Sequence, residues 1–462
     1  MKVNFIAAEC APVAKVGGLA DVVSSLPKKL REIGVDASII LPFYEIISRK
    51  DKNLKLFKKD INVNFEKKEK KFDLYKTLLP NSDVPFYLID NKEYFSGEGV
   101  YTSEDASSEG TKKEAKRFFF LSVAGTKVAQ ILNADIIHFH DWHTSTIPYL
   151  LKKKDEKTKN LLTIHNIGYQ GIYPKEIVNE LLETNFNQEV NSLKVGIRNA
   201  DLINTVSPTY AKEILTPEYG FGLEKELKKR KNDLFGIING IDTEYWNPRT
   251  DPYIKFKYSK NNLEKRKENK CFLQEKFFKE KDGNIPLFGM VSRIAEQKGF
   301  DLIKKIFKSL MKENVQLIIL GKGVKKYEDF LQEMTNKYPE KFGLETTFNE
   351  ELAHQIYAGS DMFLMPSFFE PCGLGQLIAM RYGSIPIARE TGGLKDTVIH
   401  LETGFTFKDY KAESFLKSIK ESLEKYKEKD LWEKIQKNGI EKDFSWENSA
   451  KEYLKVYKKL IE

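Results

Sequence analysis

The sequence predicts an α/β protein built from two Rossmann-like domains. Three observations carry this. The chain has 462 residues, which favours two or three domains. Short apolar runs recur, each followed by a polar or glycine-rich turn, and amphipathic helical segments separate most of them. That alternation is the pattern of mostly parallel sheets flanked by helices. The rhythm breaks between about Asp242 and Asp282 and restarts at Ile285.

The runs of the first half are VNFIAA, ASIIL, FYLID, DIIHFH, LLTIH, LINTVS and LFGIIN. Those of the second half are PLFGMVS, VQLIIL, MFLMP and IPIAR. The stretch between them, TEYWNPRTDPYIKFKYSKNNLEKRKENK, is rich in Pro, Asn and charge and holds no buried strand. The expected domains are 1–242 and 243–445, with the crossover near Asn239–Asp242, followed by a terminal helix, 446–462, with Ser445 as its N-cap. Ligands of doubly wound sheets bind at the carboxyl ends of strands, and the chemically interesting residues fall there.

Composition narrows the function classes. The chain is 41% hydrophobic and 12% aromatic, enough for real cores. Its 75 basic residues face 67 acidic ones, for a net charge of +8. The basic runs, such as LKKRKND and LEKYKEKD, mix signs or follow amphipathic patterns, so solvated helices are expected and no nucleic-acid partner. Three cysteines without a CxxC point to a reducing compartment and against a disulfide framework. No apolar run approaches the length of a membrane span. The opening MKVNFIAAECAPVA is interrupted by Glu9 and reads as a first buried strand, not a signal segment. A cytoplasmic protein is the expectation.

Five stretches carry chemistry. After the first strand, Lys15 precedes Gly17 and Gly18, which open a helix with apolar face Leu19, Val22, Val23, Leu26 and Leu30. This is similar to a phosphate-binding turn, although it is neither GxGxxG nor GxxxxGKS; an ordinary βα loop is the alternative. DIIHFHDWHTS places His138 and His140 on one face of a strand. Asp141 and His143 follow without zinc-ligand spacing, so a buried or ligand-facing His/Asp pair is expected in place of a metal. LLTIHNIGYQG ends its strand with His165, Asn166 and Gly168. FGMVSRIAEQKG brings Arg293 and Lys298 to a strand end, a pair suited to a diphosphate because Arg binds two oxygens at once and Lys acts as a mobile point charge.

The fifth stretch is FEPCGLG, where Glu370 stands before Cys372, Gly373 and Leu374 at the start of a helix. Thr391, Gly392 and Gly393 open another helix after IPIAR. Helix N-termini attract anions, and a carboxylate beside one is at odds with a phosphate alone.

In order along essentially the whole chain, KVGGLADV (Lys15–Val22), HDWH (His140–His143), HNIGYQG (His165–Gly171), NGID with WNP (Asn239–Pro248), SRIAEQKG (Ser292–Gly299), EPCGLGQLIAMRYG (Glu370–Gly383) and TGGLKDTV (Thr391–Val398) resemble the bacterial glycogen synthase and plant starch synthase family, glycosyltransferase family 5. The resemblance implies the GT-B fold, two Rossmann-like domains with parallel sheets facing across a cleft, and a last helix packed back on the first domain. It implies retaining transfer of glucose from ADP-glucose to the 4-OH at the non-reducing end of an α-1,4-glucan, without metal or other cofactor.

By position, the resemblance assigns Lys15, Gly17 and Gly18 to the donor from the first domain, with Asn239 near it. Arg293 and Lys298 hold the donor phosphates. Cys372, Gly373, Leu374, Thr391, Gly392 and Gly393 join the donor site, and Glu370 binds the sugar hydroxyls. His165 and Asp141 line the glucose and acceptor side, with Tyr94, Tyr101, Trp142 and Tyr169 toward the acceptor. Two departures stand out. Val16 replaces the threonine of the KTGGLADV form, and the stretch Glu93–Phe118 lacks the acidic-asparagine pattern expected before RF. Many related retaining enzymes carry a second glutamate eight positions after the first; here Ile378 stands there, which supports the ADP-glucose branch. Phosphorylase-like, non-catalytic glucan-binding and nicotinamide-dependent readings are disfavoured: the first lacks its cofactor-lysine motif, the second would have lost the charged residues, and the third lacks GxGxxG.

Overall fold

The computed structural model describes the chain except residues 98, 102–107, 154–156, 280 and 348, and the side chain of Ser108. Part of the departing stretch Glu93–Phe118 therefore lies outside the described residues. The chain divides into two compact units. One comprises Met1–Gly240 and Trp446–Glu462, the other Ile241–Ser445. The break between Gly240 and Ile241 falls two residues before the expected 242.

The first unit is built on a nine-stranded sheet. Its strands are β1 (Lys2–Ile6), β2 (Asp36–Pro42), β3 (Lys55–Phe65), β4 (Lys68–Leu78), β5 (Pro85–Asp90), β6 (Ile136–His140) and β7 (Lys159–Ile164). A separate two-stranded ribbon, β8 (Ile172–Tyr173) and β9 (Val190–Asn191), precedes β10 (Leu202–Thr205) and β11 (Leu234–Gly236). The order is β11-β10-β7-β6-β1-β2-β5-β4-β3. All pairings are parallel except those of β4 with β3 and with β5.

Sequence reasoning missed β3 and β4. Their residues are mostly lysine and other polar types, and only alternate positions such as Ile61, Val63, Phe65, Phe72 and Leu74 turn inward. This is the one-sided pattern of an antiparallel edge, unlike the continuous apolar runs of strands covered on both faces. Glu66 and Lys67, both at φ 56°, form the two-residue turn that joins them.

The terminal helix Trp446–Ile461 belongs to this unit. Tyr453 accepts from the Asn204 amide at 2.8 Å, Tyr457 pairs with His138 at 2.8 Å, and the Ser449 hydroxyl donates to the Ile238 carbonyl at 2.6 Å. The expectation of Ser445 as N-cap is corrected. Its hydroxyl is buried without a hydrogen-bond partner among the described residues, and its own amide donates to the Asp443 carboxylate. An aspartate two residues earlier turns the chain in its place.

The second unit holds a six-stranded parallel sheet. Its strands are β12 (Leu287–Val291), β13 (Gln316–Leu320), β14 (Phe342–Glu345), β15 (Met362–Met365), β16 (Ile385–Arg389) and β17 (Phe405–Phe407), in the order β14-β13-β12-β15-β16-β17. Helices cover both faces, and two apolar clusters form the core. One contains Phe288, Ile303, Phe307, Leu317 and Ile387; the other contains Leu287, Ile318, Ile356, Phe363 and Leu377. Ile378 packs into the second cluster at 5% exposure. No described helix is long and apolar enough to cross a membrane.

In both sheets the strand order reverses beside the first strand of the unit. β1 lies between β2 and β6, and β12 lies between β13 and β15. Adjacent crossovers leave in opposite directions at such a point and open a crevice at the strand ends. Most of the loops carrying the candidate residues leave the carboxyl ends of strands: β1, β6, β7, β11, β12, β15 and β16.

Candidate active site

In the first unit, the loop after β1 carries Glu9, which sequence reasoning noted only as an interruption of an apolar run. Its Oε2 accepts from the backbone amides of Val16 and Gly17 at 2.8 and 2.7 Å. Its Oε1 accepts from the Tyr101 hydroxyl at 2.5 Å. The helix Gly18–Glu32 has no side-chain cap from Gly17 itself, so the amides before its first turn are satisfied by a carboxylate eight residues upstream. This qualifies the phosphate-binding reading of the turn: two of its amides are already occupied by an anion. Lys15 pairs with Asp21 at 2.8 Å and stays half exposed. Gly17 and Gly18, preceded by the half-exposed Lys15, were the only local signal, and they pointed to a ligand, not to Glu9.

The loop after β6 holds the second group. Asp141 sits at φ 51°, and its Oδ1 accepts from the amide of His165 at 2.7 Å and from that of Asn166 at 3.4 Å. Burial pushes its carboxyl up to about 7, the two amides work against this, and the Glu9 charge adds to it. His140 Nδ1 lies 3.0 Å from His165 Nε2. Burial lowers His165 and His143 to about 3 and holds His138 and His140 well below the ordinary histidine value. These rings are therefore neutral at physiological pH. His138 is fully committed, to Tyr457 and Thr163. His140 Nε2 and both ring nitrogens of His143 have no hydrogen-bond partner among the described residues.

Of the acceptor-side residues, Tyr101 lies in this group, its ring 5.4 Å from that of His143. Trp142 is buried beneath it against His143 and Phe118. Tyr94 is buried further away, its hydroxyl donating to Glu66, which Lys70 and Lys116 also neutralise. Tyr169 is 55% exposed on the loop after β7. Asn239, after β11, is buried with its side-chain oxygen unpartnered among the described residues, an acceptor atom still available.

In the second unit, Lys298 and Glu370 meet. Lys298 Nζ lies 2.6 Å from Glu370 Oε2, which also accepts from the Ser367 hydroxyl at 3.0 Å. The two loops are stitched along their length. The Phe368 amide donates to the Gln297 carbonyl at 2.8 Å, and the Gln297 side chain donates to the Phe369 carbonyl at 3.3 Å. Gly299, at φ 80°, ends the turn Glu296–Lys298, where a Cβ would stand 2.2 Å from the Pro366 carbonyl oxygen. Only glycine meets both demands. The Arg389 guanidinium donates to the Phe368 carbonyl from the far side. Arg293 is exposed on the loop that follows β12.

The second glycine-rich turn is a packing device. Gly393 donates its amide to the Glu370 carbonyl at 3.1 Å, and a Cβ on Gly392 or Gly393 would meet the Glu370 or Cys372 carbonyl oxygen at 1.9 or 2.2 Å. Thr391, Gly392 and Gly393 therefore back the Glu370–Leu374 segment. Gly373, at φ 75°, lies over the Gln376 side chain, which donates to the Cys372 and Gly373 carbonyls. Cys372 is a buried thiol outside any disulfide. Among the described residues no group of three or more His, Cys, Asp or Glu side chains is arranged to hold a metal ion.

Residues 2–229 match the starch synthase catalytic domain model, and residues 272–442 match that of glycosyl transferases group 1. The solved catalytic domain of starch synthase IV from Arabidopsis thaliana, bound to ADP and acarbose, superposes with a TM-score of 0.89 at 31% identity, covering 100% of this chain and 99% of that one. Fold and domain matches thus define a glycosyltransferase of the GT-B class. The chain is also 42% identical to a glycogen synthase of Thermosipho africanus, over 100% of this chain and 99% of the relative, and 42% identical to one of Bacillus cereus, over 100% of both. It belongs to the glycogen synthase and starch synthase family, and it is a hexosyltransferase.

Proposed function

We propose that this enzyme transfers glucose from ADP-glucose to the 4-OH at the non-reducing end of an α-1,4-glucan, with retention and without a metal, in the cytoplasm. The observation that carries the reading is the Lys298–Glu370 pair, held between two interlocked loops at the switch point of the second unit. A nucleotide-sugar presents a diphosphate next to neutral hydroxyls. A cation touching a carboxylate offers one partner to each.

Breaking the sugar–phosphate bond leaves positive charge on the ring and negative charge on the diphosphate. Lys298 and Arg293 stabilise the diphosphate, and preorganised groups of this kind are worth on the order of 10²–10³ in rate each. Glu370 accepts hydrogen bonds from the sugar hydroxyls and keeps Lys298 from being lost to solvent. Lys15 and the Gly17–Gly18 turn meet the donor from the first unit, and Asn239 offers its free acceptor oxygen. Neutral His165 and Asp141 line the sugar and acceptor side with Tyr101 and Tyr169. In the proposed same-face route the acceptor O4 bonds to the anomeric carbon as the phosphate oxygen leaves it. That phosphate oxygen takes the proton of the attacking hydroxyl.

The relatives named glycogen synthase and the starch synthase neighbour bound to ADP and acarbose support this reading. So does the absence of a glutamate at Ile378. The test is glucose incorporation into glycogen with ADP-glucose or UDP-glucose, with and without EDTA. A clear preference for ADP-glucose, insensitive to EDTA, is expected. Preference for UDP-glucose, or loss of transfer in EDTA, would overturn the donor or the metal-free assignment respectively.

A further inference from the structure

We propose that Glu9 is a positioning residue that holds the donor-binding turn Lys15–Gly18 and Tyr101 in one arrangement. The inference rests on the reading of that turn as donor-binding and goes beyond it. Glu9 is 3% exposed, and a buried carboxylate is costly unless its oxygens are well supplied with donors. Three donors supply it. The Val16 and Gly17 amides lie at 2.8 and 2.7 Å on one oxygen, and the Tyr101 hydroxyl lies at 2.5 Å on the other.

The partners are what mark the role. Val16 itself is 61% exposed, and a Ser or Asp before the helix would cap its amide more simply. A glutamate from the start of the loop after β1 does something a local cap does not. It ties the turn to Tyr101, 92 residues away in sequence. The loop that bears Glu9 is itself pinned, by paired bonds between Cys10 and Ala14 at 2.9 and 2.8 Å and by the Ala11 amide on the Ala20 carbonyl. Burial, followed by the charge and hydrogen bond of Glu9, raises the Tyr101 phenol above its ordinary value, so the phenol remains a donor throughout the working pH range.

The carboxylate also sets what the turn can take. With two amides occupied by an anion, the donor's phosphate meets the Lys15 ammonium in place of those amides. Loss of Glu9 frees the turn and unlinks Tyr101, so donor affinity and turnover suffer together.

The test uses the full-length enzyme, with kcat and KM measured for each substrate at saturating concentrations of the other. Glu9→Ala is expected to raise the KM for ADP-glucose at least tenfold and to lower kcat. Glu9→Gln retains an oxygen for both amides and should recover most of the donor KM. Tyr101→Phe should fall between Glu9→Ala and wild type in kcat. If Glu9→Ala does not fold, Glu9→Gln and Tyr101→Phe decide, and wild-type kinetics in both would overturn the proposal. Equal impairment of Glu9→Ala and Glu9→Gln confined to the glucan KM would also overturn it, as the mark of direct glucan contact. Lys15→Gln separates the two levels. An unchanged donor KM there removes the reading of the turn itself, whereas a raised donor KM in Lys15→Gln with a normal one in Glu9→Ala removes only the role of Glu9.

Discussion

Lys298 and Glu370, 72 residues apart in sequence, form an ion pair at 2.6 Å in which the lysine is 19% and the glutamate 6% exposed. Removing either partner leaves the other's charge largely buried, the costly way to break such a pair.

Lys298→Ala should lower kcat/KM for ADP-glucose at least tenfold, because the diphosphate loses a preorganised cation. Steady-state kinetics at fixed glycogen check this. An unchanged value would remove the phosphate role.

Glu370→Gln keeps the shape and the Ser367 contact while discharging the partner of Lys298. Turnover should fall more than ADP affinity, read from kcat against calorimetric ADP binding. Collapse of ADP binding with normal turnover per bound donor would assign Glu370 to the nucleotide.

Gly393→Ala places a methyl 2.2 Å from the Cys372 carbonyl oxygen and 2.6 Å from its Cα. Backbone must move, so we expect destabilisation of about 1–3 kcal/mol, measured by denaturant unfolding. Activity should fall with it, because the Glu370 carbonyl that Gly393 holds shifts its own side chain. Full activity in a destabilised variant would show that the turn supports the fold alone.

Asp251 anchors the polar stretch that begins the second unit. Its carboxylate bonds His354 at 2.7 Å and Tyr382 at 2.5 Å. Burial pushes its carboxyl up, but His354, Tyr382 and the Tyr253 amide outweigh burial and hold it below its ordinary value. Asp251→Ala takes the acceptor from His354 Nδ1 and from the buried Tyr382 hydroxyl, and should cost about 1–3 kcal/mol for each group left unsatisfied in unfolding experiments. Asp251→Asn should cost less.

Stability should depend on pH in two opposed ways. The folded protein retains the Asp141 proton from about 4 up to about 7, a window in which the unfolded chain has released it, so this group's contribution falls as pH rises. His143 and His165, lowered to about 3, stay neutral where the unfolded chain binds protons, so their contribution falls as pH drops from about 6.5 towards 3. At about pH 5 each such histidine costs about 2 kcal/mol. The thermal midpoint should fall steeply below about pH 6, and His143→Phe, set among Tyr101, Phe118 and Trp142, should flatten that fall. Asp141→Asn should raise the midpoint more on the alkaline side than on the acid side. The reverse dependence would show that Asp141 is charged in the folded protein.

Local pattern was enough for most of the fold. Runs such as DIIHFH and VQLIIL announce their strands because strands covered on both faces are apolar throughout. β3 and β4 escaped because one face is wet and rich in lysine. The positions of Arg293, Lys298 and Glu370 at strand ends were legible for the same local reason. Glu9 was not, because a lone glutamate after an apolar run carries no spacing signal.

The sequence by itself determined where the strands with continuous apolar runs lie, and hence which loops stand at the carboxyl ends of β1, β6, β12 and β15. Only the tertiary structure decided which side chains meet: Lys298 with Glu370, Glu9 with Val16, Gly17 and Tyr101, and Asp141 with the amides beside His165. It also showed that the glycines at 392 and 393 back the Glu370 loop. The physical reason is that apolar periodicity acts over a few residues, whereas pairing depends on strand order, which sets side by side loops that are tens of residues apart along the chain.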